Sequence, residues 1–453
     1  RGAPDVERLL ARSQAKDRGL VEIVACEHAA RGEALRALVL CDAELGEQRP
    51  DDPLTGVLEP GAGTARHALH ALASDPRTAP LRPLLVSERG LRCVPADAEP
   101  LLAALREHAE NRFQLPEWAA DPEGVLVDLR SSGAEWMARA WVELATRVLV
   151  EGTSRLLVAT RDQLGEGWEC TPLNVLVDLS VAASGAPVQQ RRGRALRLDP
   201  RDPGKVASNW DVVCAVPGSA LGGSDYAGFV RRQQQVFGPA RDGAIEAGPG
   251  HAHVELGPFA PPAGERLEAL AAAALERAAE RDAARERWRV GSGYRGVELA
   301  TLLARPAGEP PPALADAARA VAAALVALGE CGEEAAASLE IAPHEAGYER
   351  VSLPAATPAE ARRVLDALAE ALTGGTERGL AFTPGRTGGM LSRMLGRRPA
   401  GEERTCGLPA AFAAEPEHTE ALLAAWRRHV GPARVVEDGG APAYETLMRD
   451  AWV

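Results

Sequence analysis

At 453 residues the chain exceeds one ordinary hydrophobic core, and two or three domains is the expected organisation. Hydrophobic residues at 46% and charged residues at 25% are those of a water-soluble globular protein. A net charge of −13 argues against coating nucleic acid by charge alone, though a single basic groove would suffice for a motor. Lys16 and Lys205 are the only lysines, and with the Ala, Gly and Pro content this reads as a GC-rich genome rather than as selection for phosphate binding. The seven cysteines form no CxxC pair, and several sit in apolar runs, so buried reduced thiols in a cytoplasmic protein are expected. No signal peptide and no long uncharged apolar run is visible, which points away from a membrane. A start at Arg1 reads as a fragment or a processed product.

In chain order, 7–31 has a mostly helical pattern, and 35–40 is a short apolar run closing at Cys41 and Asp42. Similar buried-strand runs follow at 84–86, 125–127, 156–160, 175–179 and 210–214, with a helix predicted over 136–150. Short apolar strands separated by helices predict a mostly parallel sheet covered on both faces. Prolines at 258, 261 and 262 break the pattern; a charged helix over 266–289 and a second break at 306–312 follow. Beyond lie a helix over 313–328, a strand at 347–353 and a capping box opened by Thr357, Pro358 and Glu360. That box begins a helix ended by Gly374 and Gly375. Strands at 380–382 and 406–408, a helix over 417–430 and a strand at 433–436 complete a β-α-β-β-α-β order, which predicts a ferredoxin-like domain. The expected domains are 1–260, a helical linker at 261–312, and a smaller α+β domain at 313–453.

The chemistry is concentrated in 156–217. The first informative segment runs from Val158, Ala159 and Thr160 through Arg161 to Gly165, Glu166, Gly167, Trp168 and Glu169. The second is Gln190, Arg191, Arg192, Gly193, Arg194, Ala195, Leu196 and Arg197. In this order and separation they resemble motifs V and VI of superfamily-two (DEAD/DEAH-type) nucleic-acid helicases, the second segment matching Gln-x-x-Gly-Arg-x-x-Arg in full. The apolar strand at 38–42 stands where motif IV would. Further similarity, to a group of large bacterial helicase-related proteins, is carried by Arg197 to Pro200, Trp210 to Cys214, Asp225 with Tyr226, Phe229 to Arg231, and His253 with Val254.

The resemblance implies a second RecA-like domain, the C-terminal half of an ATP-dependent helicase or translocase. Arg194 and Arg197 would be its arginine fingers, placed by three-residue spacing on one helix face to stabilise charge on a transferring phosphoryl group. Gly165, Glu166, Gly167, Glu169, Gln190 and Gly193 would border the nucleotide, with Gly193 allowing close backbone approach. Thr160 and Arg161 would touch DNA or RNA at the carboxyl end of a parallel strand, where ligands gather in open α/β sheets. Where the family has Asp at the end of motif V, this chain has Glu169. ATP and Mg would be bound mainly by a P-loop RecA-like domain preceding this chain or on a partner. Lys205 follows Gly204, yet Asp199 and Val206 stand where a P-loop needs Gly and Ser/Thr, and Lys16 has no glycine loop. This chain alone is therefore expected not to hydrolyse ATP. The alternative is a RecA-like scaffold or partner-binding module that has lost catalysis.

The remaining features read as structural. His251 and His253 with Glu255 would share a strand face but lack a further metal ligand; Trp168 reads as packing. Ser184 has no triad partner, and Arg386, Arg393, Arg397 and Arg398 read as a solvated basic loop.

Overall fold

The computed structural model describes residues 5–45, 54, 56–109, 117–121, 124–130, 138–161, 163–164, 168–181, 185–216, 218–219, 221–257, 260–288, 296–307, 312–374, 376–384 and 403–453. Its contacts divide it into two compact units, Arg1–Val236 with Glu255–Glu286, and Phe237–Val254 with Arg287–Val453.

The first unit is an α/β layer structure. Its strands are β1 (Ala37–Cys41), β2 (Leu84–Ser87), β3 (Gly90–Cys93), β4 (Glu117–Ala120), β5 (Val127–Arg130), β6 (Leu156–Thr160), β7 (Val175–Asp178) and β8 (Ser208–Asp211). They form one eight-stranded sheet in the order β4-β5-β3-β2-β6-β1-β7-β8. From β2 to β8 neighbouring strands run parallel, while β3, β5 and β4 add an antiparallel flank. The apolar runs are continuous because both faces are covered. Val39, Val158 and Val177 pack with Leu20, Val24, Leu69 and Leu72 of the Gln14–Arg31 and Ala65–Ser74 helices. Leu38, Leu40, Leu157 and Leu176 pack on the opposite face with Leu105, Leu144 and Ala195.

These faces fix where the connections diverge. The chain leaves β1 through Ala65–Ser74 on one face toward β2, and leaves β7 through Gly185–Ala195 on the other toward β8. Adjacent strands β1 and β7 thus flank the switch point, whose carboxyl ends open a crevice suited to a ligand. Asn174 holds this geometry from the opposite edge: Arg36 N donates to its Oδ1 at 3.0 Å, and its Nδ2 donates to Ala34 O at 2.8 Å.

Several helices differ from their predicted extent. The pattern at 7–31 divides into Asp5–Ala11 and Gln14–Arg31, the latter capped by Ser13, whose side chain accepts from Ala15 N. The charged stretch at 266–289 divides into Gly264–Ala279 and Arg281–Trp288, because Glu280 leaves helical backbone at φ −83°, ψ 52°. Cys26 Sγ donates to Leu275 O at 3.5 Å, so Gly264–Ala279 lies against Gln14–Arg31 within the first unit, where the sequence suggested a linker.

The second unit contains β9 (Phe237–Pro239), β10 (Ile245–Ala247), β11 (Glu298–Pro306), β12 (Glu340–Pro343), β13 (Glu349–Ser352), β14 (Gly379–Phe382), β15 (Arg404–Gly407), β16 (Ala433–Val436) and β17 (Tyr444–Trp452). They make an antiparallel six-stranded sheet, β12-β13-β11-β17-β10-β9, and a three-stranded one, β15-β14-β16. The described elements from β13 to β16 run in the expected order except that a short helix, Ala410–Ala413, precedes Pro416–His429, and they do not form a ferredoxin-like sheet. β13 pairs with β11 and β12, while β14 to β16 pair among themselves. β11 carries the long ladder with β17, from Glu298↔Trp452 to Pro306↔Tyr444, on one edge and takes β13 on its other edge. Leu314–Ala327, Pro358–Thr373 and Pro416–His429 share one core with both sheets, including Val321, Leu368 and Trp426. The capping box forms as predicted, with Thr357 Oγ1 accepting from Glu360 N and Thr357 N donating to Glu360 Oε2. No described helix is long and apolar enough to cross a membrane.

Candidate functional site

The crevice is built where apolar strands run out into polar residues. β1 ends in Cys41 and is followed by Asp42, β6 ends in Thr160 and is followed by Arg161, β7 ends in Asp178, and β8 in Asp211. Cys41 and Thr160 are in register, and Arg161 N donates to Cys41 O at 3.2 Å, so Asp42 and Arg161 follow side by side. Arg161 Nε lies 3.0 Å from Asp42 Oδ1, with both side chains about one-third exposed (32% and 31%). Asp42 Oδ2 also accepts from Val181 N at 2.9 Å, and Asp178 Oδ1 accepts from Ser180 N at 2.9 Å. These bonds pin the segment leaving β7 toward the arginine-bearing helix.

That helix, Gly185–Ala195, distributes its arginines in different directions. Arg191 is buried, with Nη2 3.7 Å from Asp178 Oδ2; burial depresses its pKa, an effect Asp178 opposes. Arg192 pairs with Asp211 and donates to Gln233 Oε1 at 3.2 Å. Arg232 and Gln233 also donate to Asp211, at 3.2 and 2.9 Å, yet burial still raises that carboxyl's pKa. Gln190 is exposed.

Arg194 points inward. It donates to the Leu164 carbonyl, and its guanidinium lies 5.6 Å from the centre of the Trp168 ring. Burial first, then repulsion from Arg191 and Arg197, lowers its pKa. Trp168 is buried and donates through Nε1 to Thr146 Oγ1 at 2.8 Å, a packing position. The expected shared helix face for Arg194 and Arg197 does not form, because the helix stops at Ala195. Arg197, beyond that end, is exposed and pairs with Glu169 at 2.7 Å. A Cβ at Gly193 would meet nothing within 4 Å, so no close approach from the described residues calls for a glycine there. Thr160 is buried at the carboxyl end of β6, as its strand predicted. Gly165, Glu166 and Gly167 lie outside the described residues, as do Ser184, Arg386, Arg393, Arg397 and Arg398.

Neither lysine stands ready for a nucleotide phosphate. Lys205 Nζ donates to the carbonyls of Thr171 and Leu173 at 2.6 and 2.9 Å. Lys16 is buried against Asp225 at 2.8 Å. His251 lies in a 3-10 turn, Pro249–His251, instead of the strand that would align it with His253, and its Nδ1 contacts Gly248 O. No cluster of three or more His, Cys, Asp or Glu suited to a metal occurs among the described residues.

Sequence patterning places Asp42 only at the close of an apolar run and gives no role to Asp178, Ser180 or Asp211. The signal was partly present: Asp42 and Asp178 follow or close apolar strands of the parallel part of the sheet, whereas Asp211 closes the polar, half-covered β8, Ser208–Asp211. What emerges is an α/β protein whose first unit has a mixed, mostly parallel sheet flanked by helices, an architecture compatible with a RecA-like domain. No protein-family model matches the chain, and no curated protein matches it either.

Proposed function

We propose that the first unit is the second RecA-like domain of an ATP-driven nucleic-acid helicase or translocase, with Arg197 as its foremost phosphate-facing group. The observation that carries this reading is the meeting of the two motif-like segments. Arg194 reaches the Leu164 carbonyl, and Arg197 meets Glu169 at 2.7 Å. An exposed ion pair of this kind contributes only about 0–1 kcal/mol. Arg197 can therefore exchange Glu169 for a transferring phosphoryl group at little cost, and its fixed fork of donors suits the charge spread over the equatorial oxygens.

ATP and Mg fit this chain only as an edge of their site. Both lysines are committed to other partners, and the described residues include no carboxylate cluster for the metal. Mg, when bound, supplies charge neutralisation between the phosphates, and the P-loop domain of the resemblance would hold it. The residues of this chain supply Arg197 at the transition state, Glu169 as its resting partner, and Thr160 with Arg161 on the nucleic-acid side. Gln190 and Gly193, on the same helix, leave an uncovered surface for the nucleotide-bearing domain.

The test is ATP hydrolysis by the natural full-length protein, with and without DNA or RNA. Nucleic-acid-stimulated turnover that falls about 1,000-fold or more in R197A is the expected result. Turnover indifferent to Arg197, or none at all, overturns the motor. A catalytically silent scaffold is the second reading. The inward commitment of Arg194 favours it, since that side chain would have to abandon Leu164 and Trp168 to reach a phosphate.

A further inference from the structure

We propose that Asp42 is an internal stand-in for a nucleic-acid phosphate, holding Arg161 at the mouth of the β1–β7 crevice until a backbone phosphate replaces it. This rests on the nucleic-acid reading of the first unit, but not on ATP hydrolysis. The pairing between Asp42 and Arg161 is one of charge without direction. Their facing atoms are 3.0 Å apart, yet neither Oδ1 nor Nε makes an aligned hydrogen bond among the described residues. The facing Oδ1 and Nε are themselves covered, but each side chain is about one-third exposed, so the rest of the pair lies within reach of solvent and of a ligand.

Other unsatisfied groups stand in the same crevice. Arg191 Nε and Nη2 have no hydrogen-bond partner among the described residues, although this side chain is 9% exposed and its nearest carboxylate lies 3.7 Å off. Ser180 Oγ is fully buried and likewise unpartnered. These donors come from three segments that meet at the carboxyl edge, at the switch point where α/β sheets take up ligands. A carboxylate offers two oxygens and is tied by the backbone to one position. With Oδ2 bonded to Val181, Asp42 offers Arg161 only Oδ1, whereas a phosphodiester has both non-bridging oxygens free and can meet a guanidinium with two parallel bonds. Asp42 can release Arg161 without being stranded, because Oδ2 keeps the Val181 N–H at 2.9 Å.

The experiment is equilibrium binding of labelled single-stranded DNA and RNA oligonucleotides by the whole chain. Wild type is compared with D42N, R161A and the D42N/R161A pair. The amide of D42N removes the charge while keeping an acceptor for Val181. Oligonucleotide binding tightens about twofold to fivefold in D42N, the worth of one partly exposed ion pair. It weakens in R161A, with the salt slope reduced by about one, and D42N adds nothing in the R161A background. Unchanged affinity in D42N, or equal tightening with and without Arg161, overturns the stand-in role. Tightening toward ATP or inorganic phosphate but not toward oligonucleotides overturns the phosphodiester assignment. Failure of every folded variant to bind either oligonucleotide overturns the nucleic-acid reading and this proposal together. A binding result as expected beside a silent ATPase removes only the motor.

Discussion

In the second unit, Arg350 is buried with each guanidinium nitrogen bonded to a fixed acceptor, whereas at the edge of the first unit Arg161 and Asp42 face each other as partly exposed side chains without an aligned hydrogen bond. Arg350 Nε donates to Asp242 Oδ2 at 2.6 Å, Nη1 to Thr301 Oγ1 at 2.8 Å, and Nη2 to Glu246. Burial works against its charge, but the bonds to Asp242 and Glu246 outweigh this and raise its pKa. Arg161 is worth little to stability where it stands. A guanidinium with every nitrogen bonded to a buried acceptor fastens strands; one held by charge alone, beside unmet donors, can change partners.

Substitutions that treat the two arginines alike would break this contrast. R350M strands Asp242 and Glu246 as buried, unpaired carboxylates, and the second unit should lose about 3–5 kcal/mol in urea unfolding, with early hydrogen exchange in β11 and β17. R161A should leave the unfolding midpoint nearly unmoved, within about 0.5 kcal/mol.

The motif arginines sharpen the same point inside one segment. R194A gives up a buried hydrogen bond and a contact over Trp168, and the first unit should lose about 1–3 kcal/mol. R197A should lose at most about 1 kcal/mol of stability while carrying the full loss of turnover. If the two variants cost equal stability, the inward and outward assignments are wrong. T357A, which opens the capping box in the second unit, should cost about 1 kcal/mol by thermal unfolding.

The smallest effect separates the units by acidity. His67, in the first unit, bonds Asp17 at 3.0 Å and Glu59 at 3.3 Å; the Asp17 hydrogen bond leads in raising its pKa above 6.5. Its stabilisation is complete below 6.5 and fades as pH rises through the higher folded value. His344, in the second unit, accepts from Glu345 N through Nδ1 at 2.8 Å, and burial lowers its pKa despite nearby Asp242. The unfolded chain takes up that proton first, so this unit weakens as pH falls below 6.5. Hydrogen exchange at pH 5.5 and 7.5 should show opposite trends around the two histidines, and H67Q and H344Q should each remove one of them.

Legibility followed burial. The parallel strands were readable because both faces are covered, which writes β1, β6 and β7 as unbroken apolar runs. β3 was not readable, because Arg92 interrupts it; that residue is buried by pairing with Asp128 and Glu44, distant in sequence. β17 mixes Glu445, Arg449 and Asp450 into a half-covered strand and carried no simple period. The two-sheet division of the second unit depends on the β11–β17 ladder, whose strands lie over a hundred residues apart. In the candidate site, spacing gave the residue types of 190–197 but not the helix end at Ala195, so Arg194 and Arg197 part company where a longer helix would align them. The crevice depends on register between strands that are separate in sequence, which no local pattern carries.

The two lysines give this protein an unusual chemical surface. Lys16 is buried on Asp225, and Lys205 is folded onto two carbonyls, so almost all positive charge at the surface is guanidinium. Acylating enzymes and amine-directed cross-linkers meet no freely solvated lysine side chain in the folded chain. An adduct on the buried Lys16 would record an opening of the first unit, and the slow accumulation of such adducts would act as a clock for local unfolding.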